Sequence, residues 1–296
     1  MRVLITGATG FVGRYVVREL LGRGHEVRCL ARPGSAGKVE AGEGVEVFTG
    51  DALHAGEVAR AAQGCEAVVH LVGIIREFPG RGVTFEKVHV QATENVENAA
   101  RDAGVKRFLH MSALGARPEP ADPYHVTNFR AEELVQQSGI PYTIFRPSVI
   151  YGPEDQSLNL FAKQIKTLRV VPVIGDGLYQ MQPVPVATVA QAFALALELP
   201  HTENRTYEVG GPEPLTFNAI IDTLAAVLGH KVLKVHVMVW SMRLLAGLFG
   251  RFPWFPLTTG QIRMLLEGST CDSEAFYQDF GLEAVAFTEG LRRYME

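Results

Sequence analysis

The chain has 296 residues, 47% apolar and 20% charged, with a net charge of −4. That length suits one large domain or two sharing a core, and the composition is ordinary for a soluble globular protein. The weak negative charge, with no basic run, argues against a nucleic-acid partner.

Cys29, Cys65 and Cys271 are far apart and odd in number. They fit neither a disulfide framework nor a zinc site, and read as buried free thiols in a reducing cytoplasm. Only Met1 and Arg2 precede the first apolar run, so no signal peptide is expected. No stretch approaches the roughly 18 apolar residues of a membrane span.

Val3-Leu4-Ile5 predicts a buried strand, and Arg14 to Leu21 has helical periodicity. Between them stands Thr6-Gly7-Ala8-Thr9-Gly10-Phe11-Val12-Gly13. A glycine-rich turn feeding a helix N-terminus suits a pyrophosphate, because that end carries unpaired N–H groups and a partial positive charge. Gly7 allows the tight turn, Gly10 the close approach of a phosphate, and Gly13 close helix–strand packing. The spacing is Gly-x-x-Gly-x-x-Gly, not the standard Gly-x-Gly-x-x-Gly.

His25 to Arg32 reads as strand two. An acid at its end would bind the adenosine ribose of NAD, a base the 2′-phosphate of NADP. Glu26 opens this strand rather than closing it, and so is a decoy. Arg32 closes it, with Lys38 nearby, and a guanidinium can grip a phosphate through two hydrogen bonds. NADP(H) is therefore favoured, with NAD(H) as the alternative.

Val45 to Asp51 reads as strand three, ending in Asp51-Ala52-Leu53. Asp51 is also placed to cap the alanine-rich helix that follows. Ala67 to Gly73 forms strand four, with Leu71-Val72-Gly73 at its end, and Lys106 to Ser112 forms strand five after a helix over 85–103. This alternation predicts an α/β fold with a doubly wound parallel Rossmann sheet. His70 and His110, inside apolar strands, read as satisfied core histidines, and no metal site is expected.

These landmarks resemble the short-chain dehydrogenase/reductase superfamily, whose extended and atypical members carry Thr-Gly-Ala-Thr-Gly-Phe-Val-Gly in this place. The resemblance implies dinucleotide binding by Gly7, Thr9, Gly10, Phe11, Val12 and Gly13, with Asp51, Ala52 and Leu53 at the adenine. It also places Leu71, Val72 and Gly73 beneath the cofactor. The family's chemistry uses Tyr-x-x-x-Lys on a helix and a Ser or Thr after strand five. The lysine depresses the tyrosine pKa so that the phenol can exchange a proton with substrate. Tyr124 stands at the tyrosine position, but the lysine position holds Asn128. Ser112 matches the first of two adjacent serine positions, and the second, usually the catalytic one, is Ala113. Tyr124 can thus act as an acid or simply pack against the cofactor.

Pro141 to Pro153 reads as strand six and its exit loop, and Arg146-Pro147-x-x-Ile150-Tyr151-Gly152-Pro153 is frequent in extended members. By that resemblance Pro147 lies near the nicotinamide. Thr188 replaces the usual Asp in the family's Pro-Val-x-Val-x-Asp-Val-Ala segment, as a helix cap. Residues 1–152 form the expected dinucleotide domain, with a return segment near 183–200; residues 153–296 form a smaller mixed domain.

The second domain is strongly apolar over residues 235–257, where Met238, Met242, Leu245 and Phe249 fall on one helical stripe. That stripe fits a packed face, a greasy substrate pocket, a membrane-surface face or a protein interface. Across nearly the whole chain the pattern is most similar to the branch of atypical short-chain dehydrogenases that contains the Rossmann accessory subunit of respiratory complex I. His70 to Glu77, Phe85 to Val90, His110 to Ala116 and Leu257 to Gln261 carry this likeness. It implies an epimerase-like, NADPH-binding protein in a respiratory or quinone-related setting. Such a protein would be cytoplasmic or peripheral at the inner face of a membrane. Three functions stay open: a cofactor-holding protein, an oxidoreductase on an apolar carbonyl or quinone, and a membrane- or complex-associated scaffold.

Overall fold

A computed structural model of the chain describes residues 1–40, 42–119 and 122–295. It divides into two compact units. The first comprises Met1–Pro147, Val186–Glu208 and Glu274–Leu282, against the expected 1–152 with a return near 183–200.

The first unit is built on β1 (Arg2–Thr6), α1 (Phe11–Gly22), β2 (Glu26–Ala31), β3 (Val45–Thr49) and α2 (Ala55–Ala62). There follow β4 (Ala67–His70), α3 (Ala92–Asp102), β5 (Arg107–Met111), α4 (Pro123–Gln137) and β6 (Tyr142–Pro147). With the strand Arg205–Val209 they make a seven-stranded parallel sheet, ordered Arg205–Val209, β6, β5, β4, β1, β2, β3. The order reverses at β1, where one neighbour is β2 and the other β4. Ligands of such sheets sit at this switch point, beyond the carboxyl ends of the strands.

Val3, Leu4 and Ile5 are fully buried, so β1 is covered on both faces, as parallel strands require. One core joins Leu4, Val68, Phe108 and Ile144 from the strands to Val58, Val96 and Val135 from α2, α3 and α4. Half-buried Arg146 near the end of β6 holds the buried Glu132 of α4 with two bonds of 2.8 and 2.5 Å. That pair fixes α4, the helix of Tyr124, to the sheet.

The second unit comprises Ser148–Pro185, Val209–Ser273 and Glu283–Glu296. Strands Val170–Ile174 and Leu233–Val237 pair in parallel, and helices Ser157–Thr167, Phe217–Val227 and Phe287–Met295 enclose Tyr151, Ile165, Ile221 and Phe287. Thr258 and Gln261 form a reciprocal capping box at helix Thr259–Glu267, with bonds of 3.2 and 2.9 Å. Among the described residues no helix is long and apolar enough to cross a membrane.

Several expectations change at the level of single residues. Asp51 does not cap α2; His54 holds that position. Asp51 instead accepts the Leu53 N–H at 3.0 Å, closing a local turn that competes with helix initiation. Thr188 is not a cap either, because its helix starts at Val186 and buries Thr188 in the first turn. The helix expected over 85–103 opens with a π-helical turn, Glu86–Gln91, before α3 begins. Cys29 and Cys65 are buried, whereas Cys271 is half-buried. His110 is buried without a hydrogen-bond partner on either ring nitrogen, so it is not satisfied; it stacks on His70 at 5.4 Å.

Candidate functional site

The loop after β1 takes its shape from its glycines. Gly7 has φ +84°, and a Cβ there would stand 2.9 Å from the Leu71 carbonyl. The Gly10 N–H donates to the Gly7 carbonyl at 3.0 Å, closing the turn. A Cβ on Gly13 would meet the same carbonyl oxygen at 2.2 Å, so α1 can approach the loop only without a side chain there. Gly10 is the N-cap of α1 and offers no capping side chain. The first-turn N–H groups are therefore left for an external acceptor, and an anion suits them.

A cavity of about 390 Å³ opens at this point. Gly7, Thr9, Gly10, Arg32, Asp51, Ala52, Leu53, Leu71, Val72 and Gly73 all line it. Residues from four separate segments thus converge on one cavity, an arrangement that suits an elongated ligand. Thr6, Leu30, Ala31, Gly50 and Ile74 complete the walls, with Gly82, Val83, Val88 and Ala92 on one side. Gly50 had a readable signal, a glycine before the strand-end acid. A Cβ there would stand 2.9 Å from a Leu30 methyl. The Gly82-Val83 contribution had none, because that loop has no periodicity.

Other expected residues lie outside the lining. Phe11 begins α1 and packs edge-on to Tyr15 at 5.9 Å, while Val12 and Gly13 are buried in the helix. Lys38 ends an exposed 3-10 turn, Ala36–Lys38, beyond Arg32. Pro147 is buried at the end of β6, its carbonyl accepting the Leu114 N–H at 3.0 Å. Glu26 is bound to Arg2 at 2.9 Å, at the strand start, away from the cavity.

Tyr124 is half-buried, with its ring 5.6 Å from His89 and 5.7 Å from Phe85. Burial pushes its phenol up to about 12, and among the described residues no cation opposes that. Asn128 turns its amide away from the phenol, donating to the Tyr124 carbonyl at 2.8 Å. Arg130, on another face of α4, is held by Glu86 at 2.6 Å. A phenol in these surroundings stays protonated at neutral pH and has no partner to take up its proton. The Ser112 hydroxyl is buried and also lacks a hydrogen-bond partner. An orphaned buried hydroxyl is costly, and Ser112 is not among the residues that line the cavity.

Sequence reading missed a polar chain beneath the cavity. Thr6 Oγ1 donates to His70 Nδ1 at 2.5 Å, and His70 Nε2 lies 3.1 Å from Thr93 Oγ1. Thr93 gives its proton to the His89 carbonyl at 2.6 Å, so it accepts from His70. His89 Nδ1 lies 2.9 Å from Thr127 Oγ1, whose proton goes to the Pro123 carbonyl at 2.8 Å. Its Nε2 faces the Ile74 carbonyl at 3.0 Å and the Ile74 N–H at 3.2 Å. The Thr93 bond puts the His70 proton on Nε2, and both rings are neutral: burial holds His70 at about 3 and His89 at about 4. The π-helical turn sets His89 in this place, as such turns often do at sites.

Residues 3–210 match the NAD dependent epimerase/dehydratase family. The mitochondrial NADH-ubiquinone oxidoreductase 40 kDa subunit of Neurospora crassa is 26% identical over 305 residues, covering 99% of this chain and 78% of that one. A ceramide reductase of Caulobacter vibrioides is 35% identical over 175 residues, covering 59% of this chain and 54% of its own. The dTDP-glucose 4,6-dehydratase of Streptomyces venezuelae, solved with NAD, shares the fold with a TM-score of 0.79 at 24% identity, over all of this chain and 96% of that one. The glycine cradle, the switch-point cavity and the family match over residues 3–210 together make the chain a member of the NAD dependent epimerase/dehydratase family.

Proposed function

We propose that the chain binds a nicotinamide dinucleotide, NADP(H) in preference to NAD(H), and holds it without efficient turnover. The observation that carries this reading is that, among the described residues, no cation lowers the Tyr124 phenol, which burial pushes up to about 12, while Asn128 stands four residues on and donates to the Tyr124 carbonyl. The converging Gly7, Gly10, Asp51 and Val72 around one cavity support the dinucleotide, as does the family match. Arg32, exposed at the end of β2 and lining the same cavity, supports the extra phosphate. The likeness to a complex I subunit supports a respiratory or quinone-related setting, with the cofactor serving a structural or regulatory role.

The first test is direct: the purified protein is denatured and any released dinucleotide identified and quantified. Arg32→Ala is then expected to weaken NADPH binding about tenfold or more, the worth of a charge-assisted hydrogen bond, and to leave NADH within about twofold. Equal losses for both would remove the phosphate role.

A second reading, an active reductase on an apolar carbonyl, is favoured by the similarity to the ceramide reductase. Turnover separates the two. NADPH oxidation with long-chain ketones and quinones is expected at background, unchanged by Tyr124→Phe. Asn128→Lys is expected to bring the phenol down by about one to three pKa units, read by ultraviolet titration of the tyrosinate. Robust native oxidation abolished by Tyr124→Phe would establish the reductase instead.

A further inference from the structure

Helix Val239–Phe249 of the second unit is apolar around its whole circumference, apart from Ser241 and Arg243, yet only one side is covered. Val239, Met242, Ala246 and Phe249 pack against Ile174, Phe255 and Ile262. The other side carries Trp240, Leu244 and Leu248, at 66%, 57% and 57% exposure, spaced four residues apart. Met238 and Leu245 of the expected stripe stand on the exposed side as well. A second tryptophan, Trp254, is 68% exposed and lies 5.6 Å from Phe249, at the other end of the helix from Trp240. The two exposed indoles thus lie at opposite ends of the helix.

Charge selects the occupant. The chain as a whole carries −4, yet no acidic residue occurs between Asp222 and Glu267. Lys231, Lys234, Arg243, Arg251 and Arg263 all fall in that interval. Arg243 and Arg251 are exposed, on the apolar helix and just past its end. Lys234 shares its charge with Asp222 at 2.6 Å. Tryptophan with one apolar edge and one polar N–H prefers the boundary between headgroups and acyl chains. Exposed leucine and tryptophan together with arginine is the composition of a helix that lies in that boundary.

We propose that this face docks the protein peripherally on a bilayer leaflet rich in anionic lipid, with Trp240, Leu244, Leu248 and Trp254 inserted and Arg243 and Arg251 at the headgroups. The inference goes beyond cofactor binding and does not depend on it. The geometry of a single half-covered helix gives shallow insertion, and cations near an anionic surface contribute roughly fivefold each to partitioning.

The test is flotation of the full chain with vesicles of equal phosphatidylglycerol and phosphatidylcholine, and with phosphatidylcholine alone. The protein is expected to float with the anionic vesicles and more than about tenfold less with the neutral ones or at 0.5 M salt. Tryptophan emission is expected to shift blue and to be quenched by lipids brominated near the headgroup. Trp240→Ser with Leu248→Gln is expected to lower partitioning at least about tenfold, and Arg243→Glu with Arg251→Glu likewise. Both pairs lie at exposed positions, so their melting curves are expected to match the native one, which separates docking from misfolding. Three results would each overturn the proposal: no flotation with either vesicle, unaltered flotation of both double variants, or a stable dimer abolished by Trp240→Ser with no lipid binding.

Discussion

Gly13→Ala is expected to abolish dinucleotide binding and to lower stability by about 3 kcal/mol, measured by ligand titration and urea unfolding. The added Cβ would stand 2.2 Å from the Gly7 carbonyl oxygen and 2.8 Å from the Ala8 Cα. Both are backbone atoms, so no rotamer change relieves the overlap; α1 must move off the loop or the loop must reshape. Overpacking a rigid site costs about 1–3 kcal/mol, and this position sits at the upper end because the obstacle cannot swing away. Binding suffers more than stability, because the displaced carbonyl is the one that closes the turn with Gly10 at 3.0 Å. Gly22→Ala is the matched control: it ends the same helix, and nothing lies within 4 Å of its added Cβ. It is expected to stabilise by about 0.5–1 kcal/mol through helix propensity alone, with binding unchanged. Equal behaviour of the two variants would show that Gly13 is not a packing constraint.

These glycines also mark what could be read before any coordinates. A fully apolar strand, three glycines at fixed spacing and a periodic helix impose one local geometry, and Gly7 and Gly13 occupy the positions that geometry demands. Arg32 and Asp51 were legible for the same reason, since each closes a strand whose end must lie at the switch point. The placing of Asn128 was legible by position, and its consequence is a matter of side-chain direction, visible only when its amide is seen bonded to the Tyr124 carbonyl. Two kinds of feature stayed out of reach. Segments without periodicity, such as Gly82-Val83, reach the cavity by tertiary packing alone. And in a helix apolar all round, periodicity cannot choose the covered side. Met242 and Phe249 of the expected stripe do pack inward, but Met238 and Leu245 do not, because the core partner sits beside Ala246.

The buried histidines lead to a second large effect, on acid stability. Burial lowers His70 to about 3 and His89 to about 4, and drives His110, stacked on His70, well below its usual value. Between these values and the unfolded value of about 6.5, the unfolded chain binds more protons than the folded one. Stability therefore rises with pH in that window: the contribution is whole above about pH 6.5 and is lost progressively as pH falls towards 4. The slope per buried histidine grows to about 1.4 kcal/mol per pH unit as the unfolded ring becomes protonated, so His70 and His89 together remove about 3 kcal/mol between pH 6.5 and 5.0. Most carboxylates titrate below that range, which leaves the window to the imidazoles. Urea unfolding at pH 7.5, 6.0 and 5.0 measures the slope, expected to approach about three protons per molecule towards pH 5, one from each of His70, His89 and His110. His70→Gln is expected to be less stable at pH 7.5, because the bonds to Thr6 and Thr93 at 2.5 and 3.1 Å are not both rebuilt. Its slope is expected to fall by about one proton, since the residue that resists protonation is gone. A native slope under about half a proton would mean that these rings take up protons in the folded state, and that the chain Thr6–His70–Thr93–His89–Thr127 rearranges to accept them.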